Sequence, residues 1–220
     1  YRQIAPCHFD FPLSATFPQK MSDQLRYQLW IVAAAAVIFL VDLGGAGLWD
    51  MDEALYTTCA REMIARNDLV VPWFNGQMFP EKPPLMFWGM MAGFQLFGVS
   101  EWGARFVSAV LGVGTALLAF HLGRILFNLR VGLWAGLITA STIIFTVSAR
   151  AATVDSALTF FTTLAMLLFL LAWREFQAHG RSSRLRQWTL LAGSYACVGV
   201  AVLGKGPVGM LLPLAAMGIY

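Results

Sequence analysis

The chain has 220 residues, of which 58% are apolar and only 12% charged, about half the charged share of an ordinary soluble domain. With a mean hydropathy of +0.65, these values place it in the membrane class before any motif is considered. The net charge of +3 is small and dispersed, which leaves no footprint for nucleic acid.

Residues 1–20 lack periodicity and a starting Met, so they are expected to be a non-native or disordered extension, with Met21 as a candidate start. Residues 21–220 are expected to form the N-terminal part of a transmembrane domain. A membrane-spanning helix needs ~20 mostly apolar residues. Five segments approach that length, at about 28–48, 103–122, 131–149, 154–173 and 189–204, and a sixth begins near 207. The run 84–98 is too short to cross and predicts an interfacial or re-entrant helix anchored by Phe87 and Trp88. The fold class predicted is all-α, a polytopic transmembrane helical domain. Three cysteines, Cys7, Cys59 and Cys197, lie far apart and predict no disulfide framework.

Short-loop charges orient the spans. Lys20, Arg26, Arg124, Arg130, Arg174, Arg181, Arg184 and Arg186 collect on one side, which is therefore cytoplasmic. The opposite side receives the long 49–102 loop, the Arg150–Asp155 turn and the turn around Lys205. Residues 49–85 alone hold Asp50, Asp52, Glu53, Glu62, Asp68 and Glu81, half of the chain's twelve acids.

Within that loop, residues 50–66 predict a surface helix with an apolar stripe of Leu55, Cys59 and Met63, flanked by Ala54 and Ile64. Asp50 and Glu53 have capping-box spacing, and acids in a first turn suit the helix dipole. Asp52 has no such duty, which makes it a candidate general base or cation ligand. Asn67-Asp68 ends the helix, residues 70–73 read as extended, and Asn75-Gly76 signals a turn. Pro80, Pro83 and Pro84 stiffen the backbone around Glu81 and Lys82. Lys82 suits a phosphate as a point charge with three donors, or is an ordinary interfacial lysine.

Two further turns repeat the theme. Arg150 and Asp155 bracket a junction between spans, where Asp155 also fits a helix N-terminus. Lys205 stands between Gly204 and Gly206, whose amides are open to an anion, although a tight turn with an exposed lysine explains it equally well. Three carboxylates (Asp52, Glu81, Asp155) and two lysines (Lys82, Lys205) suit an anionic, phosphate-bearing substrate and a nucleophile that needs a base. The same three acids leave a divalent cation open, though no spacing demands one. No glycine-rich nucleotide loop or HExxH pattern is present. A lipid-linked phosphate donor therefore fits better than a nucleotide. A transporter or flippase of lipid-linked sugars is the alternative, and a passive assembly subunit a weaker one.

Several motifs carry a resemblance: D-E at 52–53 with Tyr56, R-E-M at 61–63, N-D-L-V-V-P at 67–72, Asn75-Gly76 and E-K-P-P-L at 81–85 with Trp88. They continue with F-G at 97–98, G-A-R at 103–105, A-R-A-A-T-V-D-S at 149–156 and L-G-K-G-P-V-G at 203–209. Over about residues 25–220 the chain resembles the N-terminal half of bacterial GT-C integral-membrane glycosyltransferases. These belong to the protein O-mannosyltransferase-like superfamily, and the chain is most similar to the undecaprenyl-phosphate aminoarabinose transferases that modify lipid A. The resemblance implies a GT-C architecture with juxtamembrane helices in the first outer loop. It implies a polyprenyl-phosphate sugar donor and a glycolipid, glycan or protein acceptor, used at the periplasmic or outer face of a bacterial inner membrane. It also implies Asp52, Glu81 and Asp155 as catalytic acids, Lys82 and Lys205 at the donor phosphate, and Glu53, Tyr56 and Arg150 in support. The chain departs from the aminoarabinose pattern at Leu55, where an arginine is usual, and in reading M-F-P-E-K-P-P.

Overall fold

The computed structural model describes residues 21–48, 51–177 and 184–219. The expectations for residues 1–20, for Asp50 as a helix cap, for Arg181 and for Cys7 lie outside those residues.

Helix α1 (Met21–Leu40) leads through a turn into α2 (Met51–Arg66). A two-residue hairpin follows, β1 (Trp73–Phe74) and β2 (Gln77–Met78), then the short helix α3 (Leu85–Phe97). The remaining helices are α4 (Glu101–Leu126), α5 (Leu129–Ser141), α6 (Ile143–Arg150), α7 (Asp155–Gln177), α8 (Arg184–Lys205) and α9 (Val208–Ile219). Four of the described helices, α1, α4, α7 and α8, are long and apolar enough to cross a membrane. The pair α5 and α6 makes a fifth crossing if counted as one span.

The third crossing is not the straight helix expected over 131–149. It bends by 62° between Ser141 and Ile143. At Thr142 the backbone turns extended (φ −66°, ψ 121°), and its hydroxyl donates back to the Ile138 carbonyl at 2.7 Å. Side-chain competition for helical carbonyls is a recognised cause of such kinks.

Helix α1 also ends earlier than the expected 48. The carbonyls that would extend it are taken by two distant arginines. Arg150 donates to Ile38, Val41 and Asp42, while Arg105 donates to Leu43, Ala46 and Gly47.

Helix α4 is the hub, packing against α1, α3, α5, α6 and α7. Its start is capped by Ser100, whose hydroxyl accepts the Gly103 N–H at 3.2 Å. Small residues let helices cross closely in an apolar medium. A Cβ on Gly132 of α5 would stand 2.7 Å from the Phe120 carbonyl of α4, so that crossing requires glycine. One apolar core, including Phe39, Phe120 and Ala149, joins α1, α4, α5 and α6. A second, including Tyr56, Met63, Phe87 and Met90, lies beneath α2 and α3.

Alternation of the helices puts α2, α3, the α6–α7 turn and the α8–α9 turn at one end of the bundle. Arg26, Arg124, Arg130, Arg174, Arg184 and Arg186 fall at the other. At that basic end Arg174 donates to the Ile125 carbonyl near the close of α4.

Candidate active site

Helix α2 keeps nearly the expected bounds and turns the expected stripe inward. Cys59 and Met63 are fully buried, and Leu55 and Ile64 pack against the same core, while Glu53, Tyr56 and Ala60 widen the buried face. Leu55 is half-buried and Ala54 exposed. Glu53 is fully buried, and its carboxylate receives Arg105 Nε at 3.0 Å and Nη2 at 2.8 Å. It also accepts the Ala152 N–H at 2.6 Å. Glu53 is thus a buried ion-pair partner rather than a mere helix-dipole acid. Cys59 is a free thiol in the core below, pushed up to about 11 by burial and then by the Glu62 charge.

The helix ends where Asn67 adopts a left-handed conformation (φ 53°) and Asp68 N–H reaches back to the Met63 carbonyl. Asp68 then organises the exit. Its carboxylate accepts the Val70 and Val71 amides at 2.9 and 3.1 Å, and these two bonds hold its pKa below the ordinary aspartate value. Asn75 and Gly76, both at positive φ, form the predicted hairpin turn. Glu62 fastens that turn to α2 by accepting the Asn75 and Gly76 amides at 2.7 and 3.1 Å. The loop carrying Glu81 and Lys82 is therefore held at its upstream side by two carboxylates.

Downstream, α3 packs Met86, Phe87, Met90 and Met91 into the core it shares with α2. Trp88 is exposed and donates to the Leu69 carbonyl at 2.7 Å. Phe87 is no interfacial anchor: it is buried and meets Tyr56 edge-on, with ring centroids 5.8 Å apart.

A cleft of about 310 Å³ opens at this end of the bundle. Its polar walls are Tyr56, Glu81, Lys82 and Lys205, and its apolar walls include Met86, Phe87 and Val154. Lys82 Nζ stands 5.8 Å from the centre of the Tyr56 ring. The Tyr56 hydroxyl is the largest influence raising the Lys82 pKa, and the Asp52 and Glu81 charges add to it. Lys82 is accordingly a firm ammonium cation. Lys205 closes the far side, and its Nζ lies 2.5 Å from an Asp155 oxygen.

The expected residues therefore divide. Tyr56, Glu81, Lys82 and Lys205 converge on the cleft. Asp52 is exposed at the start of α2, near enough for its charge to act on Lys82. Asp155 reaches the site through Lys205. Glu53 and Arg150 are framework, and neither lines the cleft. The three acids Asp52, Glu81 and Asp155 do not fit a cation site: among the described residues no three His, Cys, Asp or Glu side chains converge to hold a metal ion. Arg105 was not singled out for any role, though an arginine one turn inside an apolar run was signal enough.

The chain matches the family described as dolichyl-phosphate-mannose-protein mannosyltransferase over residues 81–220. It belongs to that family. It is 33% identical to an undecaprenyl phosphate-alpha-4-amino-4-deoxy-L-arabinose arabinosyl transferase of Pseudomonas paraeruginosa, over 86% of the chain and 34% of the relative. An uncharacterized protein of Aquifex aeolicus is 32% identical over 87% of the chain and 37% of its own length. The chain thus spans a little over a third of the length of these relatives. Among solved structures it is similar to ArnT from Cupriavidus metallidurans bound to undecaprenyl phosphate. That match has a TM-score of 0.78 and 29% identity, and covers 89% of this chain and 35% of that one. The fold is therefore the polytopic helical GT-C type of that family, as the motifs implied.

Proposed function

We propose that the protein is a membrane glycosyltransferase that moves a sugar from a polyprenyl-phosphate donor to an acceptor hydroxyl or phosphate. The observation that carries this reading is the convergence of Lys82, Lys205, Glu81 and Tyr56 on one cleft at one end of the helical bundle. A related fold binds undecaprenyl phosphate, which supports the same lipid class for the donor here. The work is done at the acidic end of the bundle, the periplasmic or outer face of a bacterial inner membrane by the charge asymmetry of its loops.

In this reaction Asp52 takes the proton of the acceptor hydroxyl as its oxygen attacks the anomeric carbon from the face opposite the phosphate. The new C–O bond forms as the bond to the phosphate oxygen breaks, and that oxygen leaves with the electron pair. Lys82 and Lys205 stabilise the charge growing on the phosphate, and preorganised cations of this kind supply a large part of a rate enhancement. Glu81 orients the acceptor, and Asp155 fixes Lys205. General-base help from Asp52 contributes ~10²–10⁴-fold.

The acceptor is a glycolipid such as lipid A, a glycan or a protein. Membranes containing the full-length protein, given a radiolabelled polyprenyl-phosphate sugar, are expected to pass label to one of these. Labelled lipid that crosses the bilayer with its sugar still attached would instead establish a transporter.

A further inference from the structure

Arg105 is buried near the start of α4, outside the cleft. A guanidinium carries five N–H donors in a fixed fork. Here they make five hydrogen bonds: Nε to one Glu53 oxygen, Nη2 to the other and to the Gly47 carbonyl, and Nη1 to the Leu43 and Ala46 carbonyls, all at 2.7–3.0 Å. Glu53 passes the connection on to the Ala152 amide. Three segments therefore meet at one ion pair: the α1–α2 connection, the first turn of α2 and the α6–α7 turn.

Both arms of the cleft start from this junction. Asp52 immediately precedes Glu53, and Tyr56 lies one turn beyond it. On the other arm Ala152 precedes Asp155 by three residues, and Asp155 holds Lys205. Helix α4 also holds that turn directly, since Ser108 donates to the Thr153 carbonyl at 3.3 Å. A buried ion pair is weak evidence for stability, because an apolar replacement of like volume is often as stable. What the hub does supply is a fixed distance between two arms that must act on one substrate.

The geometry points to Arg105 as a positioning residue for sugar transfer, setting, through Glu53, the separation between the Asp52–Tyr56 arm and the Asp155–Lys205 arm. This rests on the transferase reading above. A lysine at 105 would keep the charge but offers only three donors from a single point, so the arms would shift relative to one another. A misplacement of about 1 Å costs on the order of 10²-fold in rate.

The test uses full-length protein in lipid nanodiscs, as wild type, Arg105→Lys, Glu53→Gln and Lys82→Ala. Three quantities are read: thermal midpoint, affinity for undecaprenyl phosphate, and transfer rate per folded molecule at saturating donor. Arg105→Lys is expected to fold and to bind undecaprenyl phosphate within a few-fold of wild type, while its rate falls about 10²-fold. An unchanged rate, or a rate lost only in proportion to folded protein, would overturn the assignment. If Arg105→Lys does not fold, Glu53→Gln decides: folded with a reduced rate supports positioning, and unfolded or fully active refutes it. A wild type that transfers nothing, with Lys82→Ala binding the lipid as well as wild type does, would refute the transferase reading itself and the inference with it.

Discussion

Lys205, the last residue of α8, ion-pairs with Asp155, the first of α7, so the meeting of these two spans presents a fixed cation to the cleft. Both side chains are nearly half exposed. An exposed pair contributes only about 0–1 kcal/mol to stability. Its value here is placement.

Asp155→Asn is therefore expected to leave the thermal midpoint almost unchanged while lowering transfer, because Lys205 is no longer held at the cleft wall. Equal losses in stability and rate would point to a structural part for Asp155. Rate and melting measurements on the same preparation separate the two.

Tyr56 acts on Lys82 through its hydroxyl and on Phe87 through its ring. Tyr56→Phe keeps the packing and removes the influence that raises the Lys82 pKa. A raised pKa means the ammonium form persists through neutral pH and is lost only above the ordinary lysine value. Transfer should then be insensitive to Lys82 titration across neutral pH, with an alkaline limb. In Tyr56→Phe that limb should move to lower pH, as a pH–rate profile would show.

Glu53→Ala is expected to be the most destabilising single change at this end of the bundle. Removing one partner of a buried pair leaves Arg105 uncompensated at a cost of about 3–5 kcal/mol. Glu81→Ala, at an exposed position of the cleft wall, should cost far less. Thermal unfolding in detergent compares the two directly.

The Cys59 thiol, buried and pushed up to about 11, is neutral at pH 8. A water-soluble maleimide should therefore label it only after denaturation. Rapid labelling of the folded protein at Cys59 would contradict the packing of α2 against α3.

Local rules made part of this architecture legible. The close of α2 at Asn67 and the hairpin at Asn75-Gly76 follow from residues that tolerate positive φ. That Glu81, Lys82 and Lys205 share one face follows from counting spans, since every second crossing returns the chain to the same face. What stayed hidden depended on partners far away in sequence. Glu53 looked like a first-turn acid because nothing near it reveals Arg105, 52 residues on. The early end of α1 is likewise set by Arg105 and by Arg150, more than a hundred residues beyond the carbonyls it takes. Phe87 read as a membrane anchor beside Trp88, yet α3 is rotated so that Phe87 meets Tyr56 and Trp88 reaches Leu69. The bend at Thr142 stayed hidden because hydropathy averages across it.

The measurement that tests the central claim most directly is sugar transfer from a radiolabelled polyprenyl-phosphate sugar by the full-length protein in membranes, comparing wild type with Lys82→Ala. Lys82 is exposed in a loop, so its loss should spare insertion and folding. The account predicts label on the acceptor with wild type and none with Lys82→Ala at equal amounts of folded protein. Transfer by Lys82→Ala at the wild-type rate would contradict it.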